Sequence, residues 1–229
     1  MSIIKAFPSK NVFAEFGDCH LEYSRFSEWV SGIENFIGAL IAIAEQVHGN
    51  NIHLVKKSDF MDNEKIKVFP SVDGLITKEK NIILAVKTAD CLPILFFEPE
   101  KKIIGTIHAG REGVQLNIVR KMIQGMKKLG AKQSSILVEI GPAVCQKHYK
   151  VDRKVFDKFV SETNIPQKQF KLDLKKVVFS QLQQEDIHSD NITDHAICTF
   201  ENENYFSYRR NKTSKRQMSF ICLSEPFQT

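Results

Sequence analysis

Residues 81–108 read NIILAVKTADCLPILFFEPEKKIIGTIH. Asn81 to Val86 and Leu92 to Phe97 are short apolar runs rich in branched side chains, as buried strands are, and Lys102 to His108 is a third. The tight segment Lys87-Thr88-Ala89-Asp90-Cys91 joins the first two. Beyond Ala109-Gly110, the residues Val114, Ile118, Met122, Met126 and Leu129 recur at steps of four or three, which draws one apolar stripe on a helix that Gly130 ends. Ile136 to Ile140 reads as another strand. Val155, Phe156, Phe159 and Val160 mark a short amphipathic helix that must stop before Pro166, and Leu174, Val177, Val178 and Leu182 mark a third. Ala196 to Phe200, Tyr205 to Arg209 and Met218 to Leu223 read as closing strands, with Glu201 to Asn204 as the first turn between them.

Upstream, Ile33 to Ala44 is the greasiest stretch, but it contains Glu34 and falls far short of the roughly 20 apolar residues that span a bilayer. It reads as a buried helix. Strands and helices do not alternate strictly, so the expected class is α+β, with mixed sheets between outer helices in one domain over residues 1–229.

Composition agrees with a globular enzyme-sized chain. The 229 residues carry a net charge of +5, and 42% hydrophobic with 26% charged residues exclude collagen-like, disordered and coiled-coil chains. Five scattered cysteines without CxxC spacing argue against a disulfide framework. Met1 to Pro8 lacks the apolar core of a signal peptide, so the sequence reads as cytoplasmic, with reduced thiols.

Three residues at element ends carry chemistry. His48 lies in Glu45-Gln46-Val47-His48-Gly49, Cys91 at the strand junction, and His108 before a glycine turn that opens a helix. Any one of them alone is more often a packing residue. Together, two imidazoles and a thiolate fill three positions of a tetrahedral Zn²⁺ and leave the fourth open, which is the catalytic arrangement. Asp90 reads as a hydrogen-bond partner of a ligand imidazole, or as a group that moves protons. Gln46 is the other candidate for managing protons in catalysis, and it shares a face with His48 if that segment is extended. Arg209, Arg210 and Arg216 offer guanidinium forks to phosphate, although such a run also suits a solvated loop. Cys145 and His148, three apart, are either structural or a second thiol–imidazole site that needs a helical turn. Asp73-Gly74 reads as a turn into a strand.

Five motifs in one order then resemble the YfiH-like family, also called the laccase-domain or multicopper polyphenol oxidase family. They are Gln46-Val47-His48-Gly49, Thr88-Ala89-Asp90-Cys91-Leu92-Pro93, His108-Ala109-Gly110, Ile140-Gly141-Pro142 with Tyr149 and Val151, and Tyr205-Phe206-Ser207-Tyr208-Arg209-Arg210. The resemblance implies a zinc enzyme with His48, Cys91 and His108 as ligands, and Cu as the weaker alternative. It implies phosphorolysis of adenosine, inosine, guanosine or methylthioadenosine, with adenosine deamination as a side activity. A purine nucleoside and phosphate are then the partners, in a monomer or small homo-oligomer that needs neither membrane nor nucleic acid. The sequence departs from the family where Arg111-Glu112 stands in place of a Trp followed by Arg, where Lys215 precedes Arg216 in place of Gly, and in lacking a Gly-Gly-Val-Ser segment before His48. The displaced Arg111 joins the candidate substrate-binding residues.

Other readings compete. Cys91 with a histidine could act as a metal-free nucleophile and base in a hydrolase that edits peptidoglycan precursors, an activity also described in this family. Copper-dependent phenol oxidation would need more clustered histidines than these seven. A nucleic-acid module would use Arg209 to Arg216, with Tyr205, Phe206 and Tyr208 for stacking.

Overall fold

The computed structural model describes residues 4–7, 12–32 and 38–223. Its strands are β1 (Ile4–Ala6), β2 (Val12–Phe16), β3 (Leu40–Ala44), β4 (Ile52–Leu54), β5 (Ile66–Phe69), β6 (Gly74–Thr77), β7 (Ile82–Thr88), β8 (Leu92–Glu98), β9 (Ile103–Ala109), β10 (Leu137–Ile140), β11 (Ile192–Asp194) and β12 (Gln217–Leu223). Helices are α1 (Phe26–Ser31), α2 (Arg111–Gln115), α3 (Ile118–Lys128), α4 (Arg153–Thr163), α5 (Leu174–Gln184) and α6 (Tyr208–Asn211). One mixed sheet runs β1-β2-β12-β7-β3-β5 and the other β11-β10-β8-β9-β6-β4.

The α+β expectation holds, and period-two alternation explains the layering. Along β7, Ile82, Leu84 and Val86 point between the sheets, where they meet Leu95, Phe97 and Ile104. Ile83 and Ala85 point the other way, toward Phe26 and Val30 of α1. On the second sheet, Ile94, Phe96 and Ile107 pack outward against Met122 and Ile123 of α3, Phe159 of α4 and Val178 of α5. Helices therefore cover the outer faces of two stacked sheets. The chain passes from the first sheet to the second within residues 88–92, because β7 belongs to one and β8 to the other.

Four expectations change. Leu40–Ala44 is a strand rather than part of a helix, because alternating Ile and Ala side chains fit between β5 and β7, and residues 33–37 lie outside the described residues. The stripe from Val114 to Leu129 is two helices, since Asn117 adopts φ +55° and its side chain accepts the Arg120 N–H to cap α3. Ala196 to Phe200 is no strand: Ala196 has φ +54°, and only Cys198 keeps a bridge, to Ala143. Tyr205 to Arg209 is a turn into α6, where Ser207 caps the helix by accepting the Arg210 N–H, so a capping signal overrides aromatic strand propensity.

Candidate metal centre and active site

Antiparallel register does the first half of the assembly. β8 and β9 pair with Leu92 opposite Ala109 and Pro93 opposite His108, which brings Cys91 and His108 to one end of the sheet. β6 pairs Gly74 with Ile107 on the other side, so Asp73 lies beside His108 and its carbonyl accepts the His108 N–H at 2.7 Å. The Asp73 carboxylate then gathers the third segment, accepting the backbone N–H groups of Val47 (3.2 Å), His48 (2.9 Å) and Gly49 (2.7 Å). One ligand atom from each of His48, Cys91 and His108 lies within 4.8 Å of the others. The two imidazoles meet edge to face at 4.8 Å.

Asp73 also bonds His108 Nδ1 at 2.8 Å. That leaves Nε2 of His108 for Cys91 and fixes the ring, the arrangement that orients a metal-binding histidine. The sequence reading gave this support to Asp90 and left Asp73 as a turn residue. Asp90 instead bonds Thr199 Oγ1 (2.7 Å) and the Arg209 N–H (2.6 Å). No local spacing marks Asp73; its only sequence signal is an acid directly before a strand.

The electrostatics follow from burial and proximity. Burial alone would raise the Cys91 thiol, but the charge of His108 and hydrogen bonds from His108 and His48 bring its pKa down to about 6. Burial would lower His108, yet the Cys91 charge and the bond to Asp73 raise it to about 9. The ion-free protein thus holds a thiolate beside an imidazolium. Burial also opposes ionisation of Asp73, and its bonds to His108 and Gly49 outweigh that and hold the carboxyl below the usual range.

The residues fit a soft divalent ion. The donor set suits a tetrahedral ion with one open position. A Cβ on Gly110 would sit 3.1 Å from His48 Cδ2, 3.2 Å from His108 Cε1 and 3.4 Å from Cys91 Sγ, so only glycine leaves the cradle clear. Gln46, His48 and Asp90 all have positive φ, at +67°, +64° and +97°, and such conformations concentrate at functional sites. The condition for Gln46 and His48 to share a face, an extended segment, is therefore not met. Gln46 instead locks both ends of its amide on the Lys87 backbone, at 2.7 and 2.8 Å.

The three ligands open into a cavity of about 500 Å³ whose rim carries Lys87, Arg111, Arg209 and Arg216. Arg209 lies 4.6 Å over the Tyr149 ring and bonds the Lys150 carbonyl at 2.7 Å. Arg111 bonds Gln115 and Glu112, and Arg216 the Thr213 and Lys215 carbonyls. Arg210 is not at the rim. Its guanidinium is taken up by the carbonyls of Thr199, Phe200, Asn202 and Tyr205, so it is a brace of the 199–205 turn rather than a phosphate ligand. Lys87, not singled out from sequence, takes a place on the rim through the crossing between the sheets. Of the three aromatic side chains considered for base stacking, Tyr205 is withdrawn into the core at 1% exposed, and Tyr208 stays exposed.

The family model for multi-copper polyphenol oxidoreductase laccase matches residues 6–224. The chain belongs to this family. Among its relatives, the purine nucleoside phosphorylase Cj1217c of Campylobacter jejuni is 35% identical over 204 residues, covering 79% of this chain and 86% of that protein. The purine nucleoside phosphorylase YlmD of Bacillus subtilis is 30% identical over 234 residues, 96% of this chain and 84% of its own length. The crystal structure of YlmD from Geobacillus stearothermophilus superposes with a TM-score of 0.80 at 26% identity, covering 98% of this chain and 97% of that one. Among the described residues, no helix is long and apolar enough to cross a membrane.

Proposed function

We propose that this protein is a zinc-dependent purine nucleoside phosphorylase with an adenosine deaminase side activity. The observation that carries the reading is the convergence of His48, Cys91 and His108 at the floor of a cavity rimmed by four cationic side chains. The names of its relatives support the purine nucleoside phosphorylase part of the reading. Bound zinc would supply Lewis-acid polarisation of a reacting group.

The chain's own residues supply the rest. Arg111, Arg209 and Arg216 present forks that match phosphate oxygens, with Lys87 as a fourth charge. Asp90 holds the Arg209 backbone and so sets where that fork points. Burial and then the Cys91 charge raise Tyr149 to about 12, so its hydroxyl stays protonated and can donate to substrate. In phosphorolysis a phosphate oxygen bonds the sugar C1′ as the bond to the purine breaks. The cationic rim positions that anion and screens its charge.

Adenosine incubated with the purified protein, with and without phosphate, tests the reading against Cys91→Ala as blank. Adenine that requires phosphate supports phosphorolysis, and inosine formed without phosphate supports deamination. No turnover by a zinc-loaded protein overturns both.

A second reading rests on the buried Cys91–His108–Asp73 chain of contacts, which has the nucleophile–base–orienter order of a metal-free hydrolase. Full activity on cell-wall precursors after complete metal removal would favour it.

A further inference from the structure

Two short turns on the flank of the pocket carry donors that the proposed chemistry does not use. Cys145 precedes a single 3-10 turn, Gln146–His148, in which side chains three apart eclipse, so Cys145 and His148 share one face. Cys198 begins a second turn closed by the Asn202 N–H on the Cys198 carbonyl, and Glu201 lies three residues on. Ala143 pairs in parallel with Cys198, which holds the two turns side by side. The sulfur of Cys198 accepts the Cys145 backbone N–H at 3.3 Å, and His148 Nε2 meets Glu201 Oε1 at 2.8 Å. One ligand atom each from Cys145, His148 and Glu201 falls within 4.8 Å of the other two.

We propose that Cys145, His148, Cys198 and Glu201 form a second, structural site for a soft divalent ion of the zinc class. The pattern is Cys-x2-His followed by Cys-x2-Glu, one i, i+3 pair from each turn. Two thiolates, an imidazole and a carboxylate make a closed tetrahedral set, with no position left for substrate. Metal–ligand bonds of about 2.0–2.3 Å place tetrahedral ligands roughly 3.5 Å apart. Cys145, His148 and Glu201, within 4.8 Å of one another, close by about 1.3 Å at most, and Cys198, whose sulfur lies outside that group, moves further to complete the set. Lys147, 2.9 Å from Glu201, offsets the negative charge of the loaded site.

The ion would act at a distance on the pocket. Val144, next to Cys145, donates its N–H to the Asp90 carbonyl, and Thr199, next to Cys198, donates its hydroxyl to the Asp90 carboxylate. Clamping the turns therefore fixes Asp90, the neighbour of Cys91.

The test uses the full chain carrying Cys91→Ala, stripped of metal and titrated with Co²⁺ alone under reducing conditions. The expected result is one tightly bound equivalent with tetrahedral visible bands and thiolate charge-transfer absorption. Adding Cys198→Ser should remove about half of that charge-transfer intensity, whereas Glu201→Gln should shift the visible bands and keep both thiolate transitions. Should Cys91→Ala fail to fold, the otherwise unaltered protein is expected to bind two equivalents, and its Cys198→Ser form to lose about a third of the thiolate charge-transfer intensity. Charge-transfer absorption that is absent, or unchanged by Cys198→Ser, overturns the site. So does a Cys145–Cys198 disulfide in the purified protein whose reduction gives no cobalt band. These outcomes do not depend on nucleoside turnover.

Discussion

The two thiol–imidazole clusters of this molecule are built in opposite ways. His48, Cys91 and His108 come from three distant segments, brought together by the β6–β9–β8 register and by one buried carboxylate. The flanking cluster uses two local turns, each contributing donors three residues apart. The first packs its buried His108 on the fully inaccessible Asp73 and opens at its exposed His48, while Glu201 of the second is 48% exposed at its side chain. The difference separates roles: long-range assembly yields an open site facing a cavity, and local turns yield a closed one on the surface.

That contrast can be broken most severely at the ligands. Cys91→Ala or His108→Ala should remove most pocket metal and activity, whereas His53→Ala, on a strand at the far edge of the second sheet, should remove neither. Equal metal retention in all three, read by elemental analysis, would sink the triad. Asp73→Asn comes next. It weakens the His108 bond and the three N–H contacts, so affinity for zinc should fall about 10–100-fold in a chelator competition. Changing pH should separate the clusters further. Binding in the pocket requires a thiolate and a neutral imidazole, and the ion-free protein keeps a proton on His108 up to about 9 and gains one on Cys91 below about 6. Affinity should therefore decline as pH falls through about 9 and drop more steeply below about 6. A flat profile would contradict the thiolate–imidazolium pair. Gly110→Ala is the mildest change, with an expected loss of about 1–3 kcal/mol of stability in urea titration and weakened metal binding, because its Cβ crowds both imidazoles.

Much of the architecture was legible from residues 81–108, since branched apolar runs and a period-two pattern survive in any sheet environment. Leu40–Ala44 was misread because a short run of Ile and Ala suits helix and strand alike until its neighbours are known. The positions of His48, Cys91 and His108 at element ends were readable, and the reason they meet was not. Sheet register is a long-range property, and Asp73, which ties the three together, looks like any turn acid in one dimension. Arg210 was misassigned for a related cause: a guanidinium that caps carbonyls and one that faces a pocket have the same sequence.

The place of β12 has a consequence for how the protein comes into being. Residues 217–223 lie in the middle of the first sheet, hydrogen-bonded to β2 on one side and β7 on the other. During synthesis, β2 and β7 wait with unpaired edges until residues 217–223 have emerged, a non-local closure that is slow and exposed to aggregation. Because the Lys87 to Cys91 crossing leaves directly from β7, the pocket takes its final shape only once β12 has closed the first sheet.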